Sequence, residues 1–264
     1  MHYTAPDALA AFHARFAGAS DRVFGPGRAE DGRSSYMMLA ETVDEHAAHV
    51  LDLACGDGAL LAKLMRPGRE VVGLDRSPHE LAAARERLGP DVPLVEASAQ
   101  KMPFFNESFD AVTCHMALMF FEEPQRVVAE LARVIRPGGT FAAVVGRGAD
   151  RSPFAASFFQ ALRQAGSMDG LNIGWSMRHA TEGGLLGLFQ GWNPYYAPFL
   201  LTRVLPRAEV WPFLQLCFYD AGLLGDSASA WLSARVDELM DQHGVGETLE
   251  WQVGMALLTA TRKG

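Results

Sequence analysis

The chain predicts an α/β protein built on a mostly parallel sheet, and three features of the sequence lead there. The first is Val50-Leu51-Asp52-Leu53-Ala54-Cys55-Gly56-Asp57-Gly58, an apolar run of strand length that breaks into two glycines. Leu60, Leu61, Leu64 and Met65 follow at helical spacing until Pro67-Gly68 stops them. The second is another buried strand, Val71-Val72-Gly73-Leu74-Asp75, which carries an acid at its last position, 23 residues after Asp52. The third is the further alternation of apolar runs with helix-period segments as far as Val145.

A strand, a glycine turn and a helix together make a site for nucleotide-like ligands. Glycines let the backbone turn tightly and lie against a ligand, and the helix N-terminus offers free N–H groups. A carboxylate about 20 residues further on is placed to accept from both hydroxyls of a ribose. Helix capping is the other use for Asp75. Ser77-Pro78-His79-Glu80 already reads as a capping box with proline at the first helical position, so Asp75 is expected to be free for a ligand. A dinucleotide fingerprint would need a third glycine for close helix packing, and Leu61 holds that position.

The remaining elements follow in order. Residues 6–17 read as a short helix with Leu9, Phe12 and Phe16 on one face, Gly18 to Gly32 as a connection, and Ser34 to Ala47 as a second helix. Val92 to Glu96 is a third strand, and Ala97 to Phe104 a turn. Phe109 to Cys114 is a fourth strand, whose far end, His115 to Phe121, is expected over the reacting group because ligands of parallel sheets sit at the carboxyl ends of strands. Glu122-Glu123-Pro124 opens a helix with Val127, Val128, Leu131, Val134 and Ile135 on one face. Arg136-Pro137-Gly138-Gly139 ends it, and Thr140 to Val145 is the fifth strand.

From residue 151 to about 220 the composition shifts. Thirteen of the 26 aromatic residues fall there, which is the material of an apolar small-molecule pocket as well as of a core. Pro194 to Leu205 reads as a strand, Pro206 to Ala221 and Ser227 to His243 as helices, and Glu250 to Thr261 as the closing strand.

Read together, Asp52-x-Ala54-x-Gly56-x-Gly58, Phe109-Asp110-Ala111-Val112, Phe120-Phe121-Glu122-Glu123-Pro124 and Arg136-Pro137-Gly138-Gly139-Thr140-Phe141 resemble the class I S-adenosylmethionine-dependent methyltransferases. The closest likeness is to the small-molecule, ubiquinone/menaquinone-type (methyltransferase type 11) branch, and it covers residues 48 to 146. The resemblance implies a Rossmann-like, doubly wound, seven-stranded, mostly parallel sheet whose last strand is antiparallel. It also implies an N-terminal helical lid over residues 1–47, a cofactor-binding core over 48–146, and substrate-cap elements with closing strands over 147–264.

The activity it implies is methyl transfer from S-adenosyl-L-methionine to an oxygen, nitrogen or carbon of a small molecule in a biosynthetic pathway. Asp52, Ala54, Gly56 and Gly58 would serve the methionine half, and Asp75 with Arg76 the ribose. Ser98, Ala99 and Gln100 would flank the adenine, with Ser98 standing where the family usually has an acid. His115 is the candidate for proton removal or substrate contact, or for holding the cofactor. Met119, Trp175, Tyr195, Tyr196 and Trp211 are the candidate substrate residues. The alternatives are a non-catalytic S-adenosylmethionine-binding protein and a nicotinamide-dependent dehydrogenase, the second disfavoured by Leu61.

Composition weighs against other classes. A net charge of −8 argues against a nucleic-acid partner, whose backbone would need a basic face. Cys55, Cys114 and Cys217 are three and far apart, which argues against a disulfide framework, and no Cys/His cluster has zinc spacing. No basic stretch followed by an apolar run opens the sequence, and no run is long enough to span a bilayer, so a cytoplasmic protein without membrane partners is expected.

Overall fold

The computed structural model describes residues 2–148, 150–173 and 181–263. Seven strands form one sheet: β1 (His49–Leu53), β2 (Glu70–Asp75), β3 (Leu94–Glu96), β4 (Phe109–His115), β5 (Ile135–Gly148), β6 (Trp192–Pro206) and β7 (Thr248–Arg262). Their order is β3-β2-β1-β4-β5-β7-β6, with β1 to β5 parallel and β7 antiparallel to both of its neighbours. The order reverses between β1 and β4, so the crevice for a ligand opens at the carboxyl ends of those strands and of β2. Every residue of β4 is buried, as expected of a strand covered on both faces.

Three helices, α1 (Ala5–Arg15), α2 (Ala19–Phe24) and α3 (Ser35–Ala40), precede the sheet, and its crossovers run through α4 (Ala59–Leu64), α5 (Pro78–Leu88) and α6 (Pro124–Val134). After β5 come α7 (Pro153–Asp169) and α8 (Glu182–Leu188); after β6 come α9 (Val210–Cys217), α10 (Tyr219–Gly222) and α11 (Asp226–Gln242). One face of the sheet buries α3, α4, α7, α9 and α11 around Trp251. The other buries α6 and α8 around Phe141 and Phe189, whose rings stack 5.2 Å apart. α6 is driven there by its stripe of Val127, Val128, Leu131 and Val134, all buried.

Several boundaries differ from the sequence reading. Residues 34–47 hold only the short α3, because Thr42 Oγ1 donates to the Leu39 carbonyl and competes with the helix at its end. Within Gly18 to Gly32 lies α2, which buries Val23 and Phe24. Residues 206–221 are not one helix: a 3-10 turn precedes α9, and extended backbone at Phe218 separates it from α10. β5 starts at Ile135 directly after α6, so Arg136 to Gly139 belong to the strand, and β6 starts at Trp192. His2–Tyr3 pairs with Asn172–Ile173 in a separate two-stranded sheet.

Candidate functional site

The loop after β1 is held in left-handed backbone at Ala54 (φ 56°), Gly56 (φ 54°) and Gly58 (φ 78°). For Ala54 that conformation costs about 1–2 kcal/mol, which the surrounding structure must offset. Gly58 is constrained twice, since a Cβ there would sit 2.7 Å from Leu88 on α5. At Gly56 a Cβ would meet only Glu80 Oε2, at 3.7 Å, so the floor of the site is open there. Leu61 explains the missing third glycine. It is buried, and its Cδ1 would lie 2.6 Å from a Cβ at Gly73, so the small residue that permits close packing is on the strand instead.

Asp75 ends β2, and its two oxygens accept from Gly56 N–H at 2.9 Å and Ser77 N–H at 2.8 Å. This corrects the expected capping box. Ser77 Oγ does accept from Glu80 N–H at 3.3 Å, but Asp75 takes the reciprocal bond to Ser77 N–H that a capping box assigns to Glu80. Glu80 is thereby released to the N-terminal segment, where it meets His13 Nδ1 at 2.6 Å and accepts from Gly18 N–H at 3.0 Å. Burial raises the Asp75 carboxyl above its usual range, and the two backbone donors oppose that shift.

A cavity of about 360 Å³ lies over this loop. Ala54, Gly56, Asp75, Arg76, Ala99 and His115 line it, as the sequence suggested. Leu9, Ala10 and His13 of α1 close it from above, and Arg76 Nη2 also donates to the Pro6 carbonyl at 3.1 Å. Gly58, Ser98 and Gln100 are not in the lining. The Ser98 hydroxyl is exposed and spends its bond on Gln100 N–H at 3.2 Å, tightening the turn.

Asp52 lies beneath the loop, 1 % exposed; Thr113 Oγ1 donates to its Oδ1 at 2.9 Å, and its Oδ2 has no partner among the described residues. Burial pushes its carboxyl up to about 8. Asp57 is clamped by Arg87, which also reaches Asp21 at 2.9 Å and so ties the loop to α2.

His115 ends β4 and is buried. Its Nε2 shares a hydrogen bond of 2.9 Å with Ser35 Oγ, and its ring stacks on Tyr36 at 3.9 Å. Burial drives its imidazole down to about 3, far from the value that would suit a proton acceptor near neutral pH. That direction weighs against a base role for His115, whose ring anchors α3 to the sheet and lines the cavity.

A second cavity, of about 380 Å³, adjoins the first and shares Met116, Phe120 and Tyr219 with it. Met116 holds a left-handed φ of 56° at this junction. Of the expected substrate residues that are among the described ones, only Met119 lines the second cavity. Tyr195 points out of the edge strand at 63 % exposure, Trp211 packs against the core from within α9, and Tyr196 lies under Arg147. Trp175 lies outside the described residues. The spacing of aromatics alone could not separate these roles. Phe218, Tyr219 and Trp251 supply the wall instead, brought together by α9, α10 and β7. Tyr219 reaches the lid as well, with its ring 4.5 Å from Phe12. Among the described residues no group of His, Cys, Asp and Glu could hold a metal, and no helix is long and apolar enough to cross a membrane.

Residues 51–143 match a family described as a methyltransferase domain. Over 95 residues the chain is 44% identical to the demethylmenaquinone methyltransferase of Thermus thermophilus, covering 34% of this chain and 43% of that one. It is 35% identical over 113 residues to the ubiquinone/menaquinone biosynthesis C-methyltransferase UbiE of Desulfotalea psychrophila, covering 42% of this chain and 46% of that one. The chain thus spans less than half the length of these curated relatives. Two solved structures share the fold across nearly the whole chain. A type II methyltransferase of Anaeromyxobacter dehalogenans has a TM-score of 0.65 at 21% identity, covering 90% of this chain and 99% of that one. The cyclase SpnF has a TM-score of 0.60 at 22% identity, covering 99% and 98%. Residues 51–143 are therefore similar to a methyltransferase domain, over the stretch whose motifs resemble the class I, S-adenosylmethionine-dependent enzymes.

Proposed function

We propose that this chain transfers a methyl group from S-adenosylmethionine, held in the first cavity, to a small-molecule acceptor held in the second. The observation that carries the reading is the pair of adjoining cavities, one floored by the loop after β1 and by Asp75, the other apolar. Asp75 fits a ribose diol, because two backbone N–H bonds fix its carboxylate and leave each oxygen a further lone pair. Ala54 and Gly56 present bare backbone to the methionine half, while Ala97 and Ala99 give an adenine ring a flat apolar side. The residues present fit the cofactor.

When bound, S-adenosylmethionine supplies an intrinsically activated methyl group, so the protein's task is alignment and exclusion of water. Met116, Phe120 and Tyr219 do this at the junction of the cavities. None of them is a base: burial raises the Tyr219 hydroxyl well above its ordinary value. His115 serves as a positioning residue. It holds α3 through Ser35 and keeps the end of β4 in place. The division into a lid (1–47), a cofactor core (48–146) and an acceptor-facing remainder (147–264) is part of the same reading, supported by α1 over the first cavity and by α9, α10 and β7 around the second. An acceptor made or used in biosynthesis, as the relatives' names suggest for them, belongs here too.

Titration calorimetry tests the reading directly. S-adenosylmethionine and S-adenosylhomocysteine should each bind once per chain, and NAD should not. Binding of NAD alone would overturn it. Binding of S-adenosylmethionine without methyl transfer to any acceptor from the source cells' extract would favour a non-catalytic binder.

A further inference from the structure

We infer that Glu80 is a positioning residue that latches α1 over the first cavity and so governs how fast a ligand leaves it. The inference rests on the methyl-transfer reading and adds the control of its cofactor site.

α1 is a short element to lie over a cavity. It has 11 residues, below the roughly 12–15 at which an isolated helix becomes stable in water, so docking decides whether it stays folded and closed. The apolar part of that docking is small. Among the described residues of α1 only Ala8 and Phe12 are buried. Phe12 enters a notch beside Gly222 on α10, where a Cβ would lie 2.5 Å from its Cε2, and it meets the Tyr219 ring edge-on.

Polar contacts hold the rest. Arg15 donates to the Gly222 carbonyl at 3.2 Å, and Arg76 to that of Pro6 at 3.1 Å, but both side chains belong to exposed residues. Glu80 is different. It is 3 % exposed, and a carboxylate that deep needs partners. Its Oε1 shares the 2.6 Å hydrogen bond with His13 Nδ1 near the end of α1, and its Oε2 accepts from Gly18 N–H in the turn that follows.

That turn is where the lid must pivot. Gly18 holds a left-handed φ of 73°, and just beyond it Arg87 ties Asp21 of α2 to Asp57 of the loop after β1. α2 is therefore fixed while α1 is lightly docked. One carboxylate pins both the pivot and the helix that swings on it. Glu80 and His13 face each other in the cavity lining, so α1 cannot lift away without parting them. Lids of this kind set the rates of ligand entry and release.

The test uses the full chain and two readouts: release of S-adenosylhomocysteine by surface plasmon resonance, and amide hydrogen exchange of α1 beside that of β4. His13→Ala and Glu80→Ala should each speed release about tenfold, the scale of one hydrogen bond to a charged group. The double variant should go no further than Glu80→Ala alone, because the two residues act through one contact. Phe12→Leu, at a position that lines neither cavity, should speed release about threefold, the worth of one aromatic pair. In each variant α1 should lose exchange protection while β4 keeps it. Glu80→Gln, which can still accept from Gly18, is the milder step if the alanine variant does not fold. Faster release in Glu80→Ala alone, with His13→Ala and Phe12→Leu unchanged, would mean that Glu80 touches the ligand itself, and the inference falls. It falls too if protection is lost across β4, since the contact then serves general stability. If no S-adenosylhomocysteine binds but α1 loses protection as expected, the methyl-transfer reading fails and the latch stands.

Discussion

The two cavities meet at Met116, Phe120 and Tyr219 but are held by different forces. Around the first, polar groups are fixed by short, directional bonds. Asp75 takes two backbone N–H groups, Glu80 takes His13 and Gly18, and Arg87 joins Asp57 to Asp21. Around the second, ring packing centred on Trp251 does the holding. A hydrogen-bonded site can recognise one ligand chemistry closely. A packed apolar site discriminates mainly by shape and volume. The first arrangement suits the proposed cofactor and the second the proposed acceptor.

The comparison can be broken most directly at Trp251. If packing holds the second cavity, Trp251→Ala should cost about 3–5 kcal/mol of folding stability in denaturant unfolding, as large aromatic truncations do. A loss below about 1 kcal/mol would mean that the ring box is not structural.

The buried carboxyl beneath the first cavity should show itself through pH. Asp52 is raised from 3.8 to about 8, so its stabilising contribution is full below the unfolded value near 4 and is lost as pH rises through 8. His115, lowered from 6.5 to about 3, acts in the opposite sense: its contribution is full above 6.5 and is lost as pH falls toward 3. Asp52→Asn should therefore gain on the wild type between pH 5 and pH 9, on the order of a few kcal/mol. A stability difference that is flat across that range would show that Asp52 titrates normally.

Asp75→Asn sharpens the contrast at the cofactor side. With the carboxylate gone, S-adenosylhomocysteine binding measured by titration calorimetry should weaken by about 1–3 kcal/mol. An unchanged affinity would remove Asp75 from the cofactor side.

The smallest effect is expected at Tyr195. Its ring is exposed on the edge strand and lines neither cavity, so Tyr195→Ala should change stability by less than about 0.5 kcal/mol and leave S-adenosylhomocysteine binding unaffected. A loss of more than about 1 kcal/mol in denaturant unfolding would mean that the ring is packed after all.

The chain's own sequence determined the sheet, the loop after β1 and the acid of β2, because each is written in contiguous residues. A strand buried on both faces must be continuously apolar, a left-handed turn calls for glycine, and a carboxylate at a strand's end emerges where the crevice opens. Leu61 was legible as a missing glycine, but that Gly73 replaces it required the neighbouring strand. Tertiary structure alone decided the rest. Glu80 reads as a cap and becomes the anchor of α1, because its partner His13 lies 67 residues away. His115 reads as a base, and only the tertiary structure shows it buried beside Tyr36 and Ser35, where burial lowers its imidazole below the ordinary value. Tyr195, Tyr196, Trp211 and Trp251 are alike as sequence. Which of them face the cavity depends on strand register and on the helices laid over β7, and long-range packing of that kind leaves no local periodic trace.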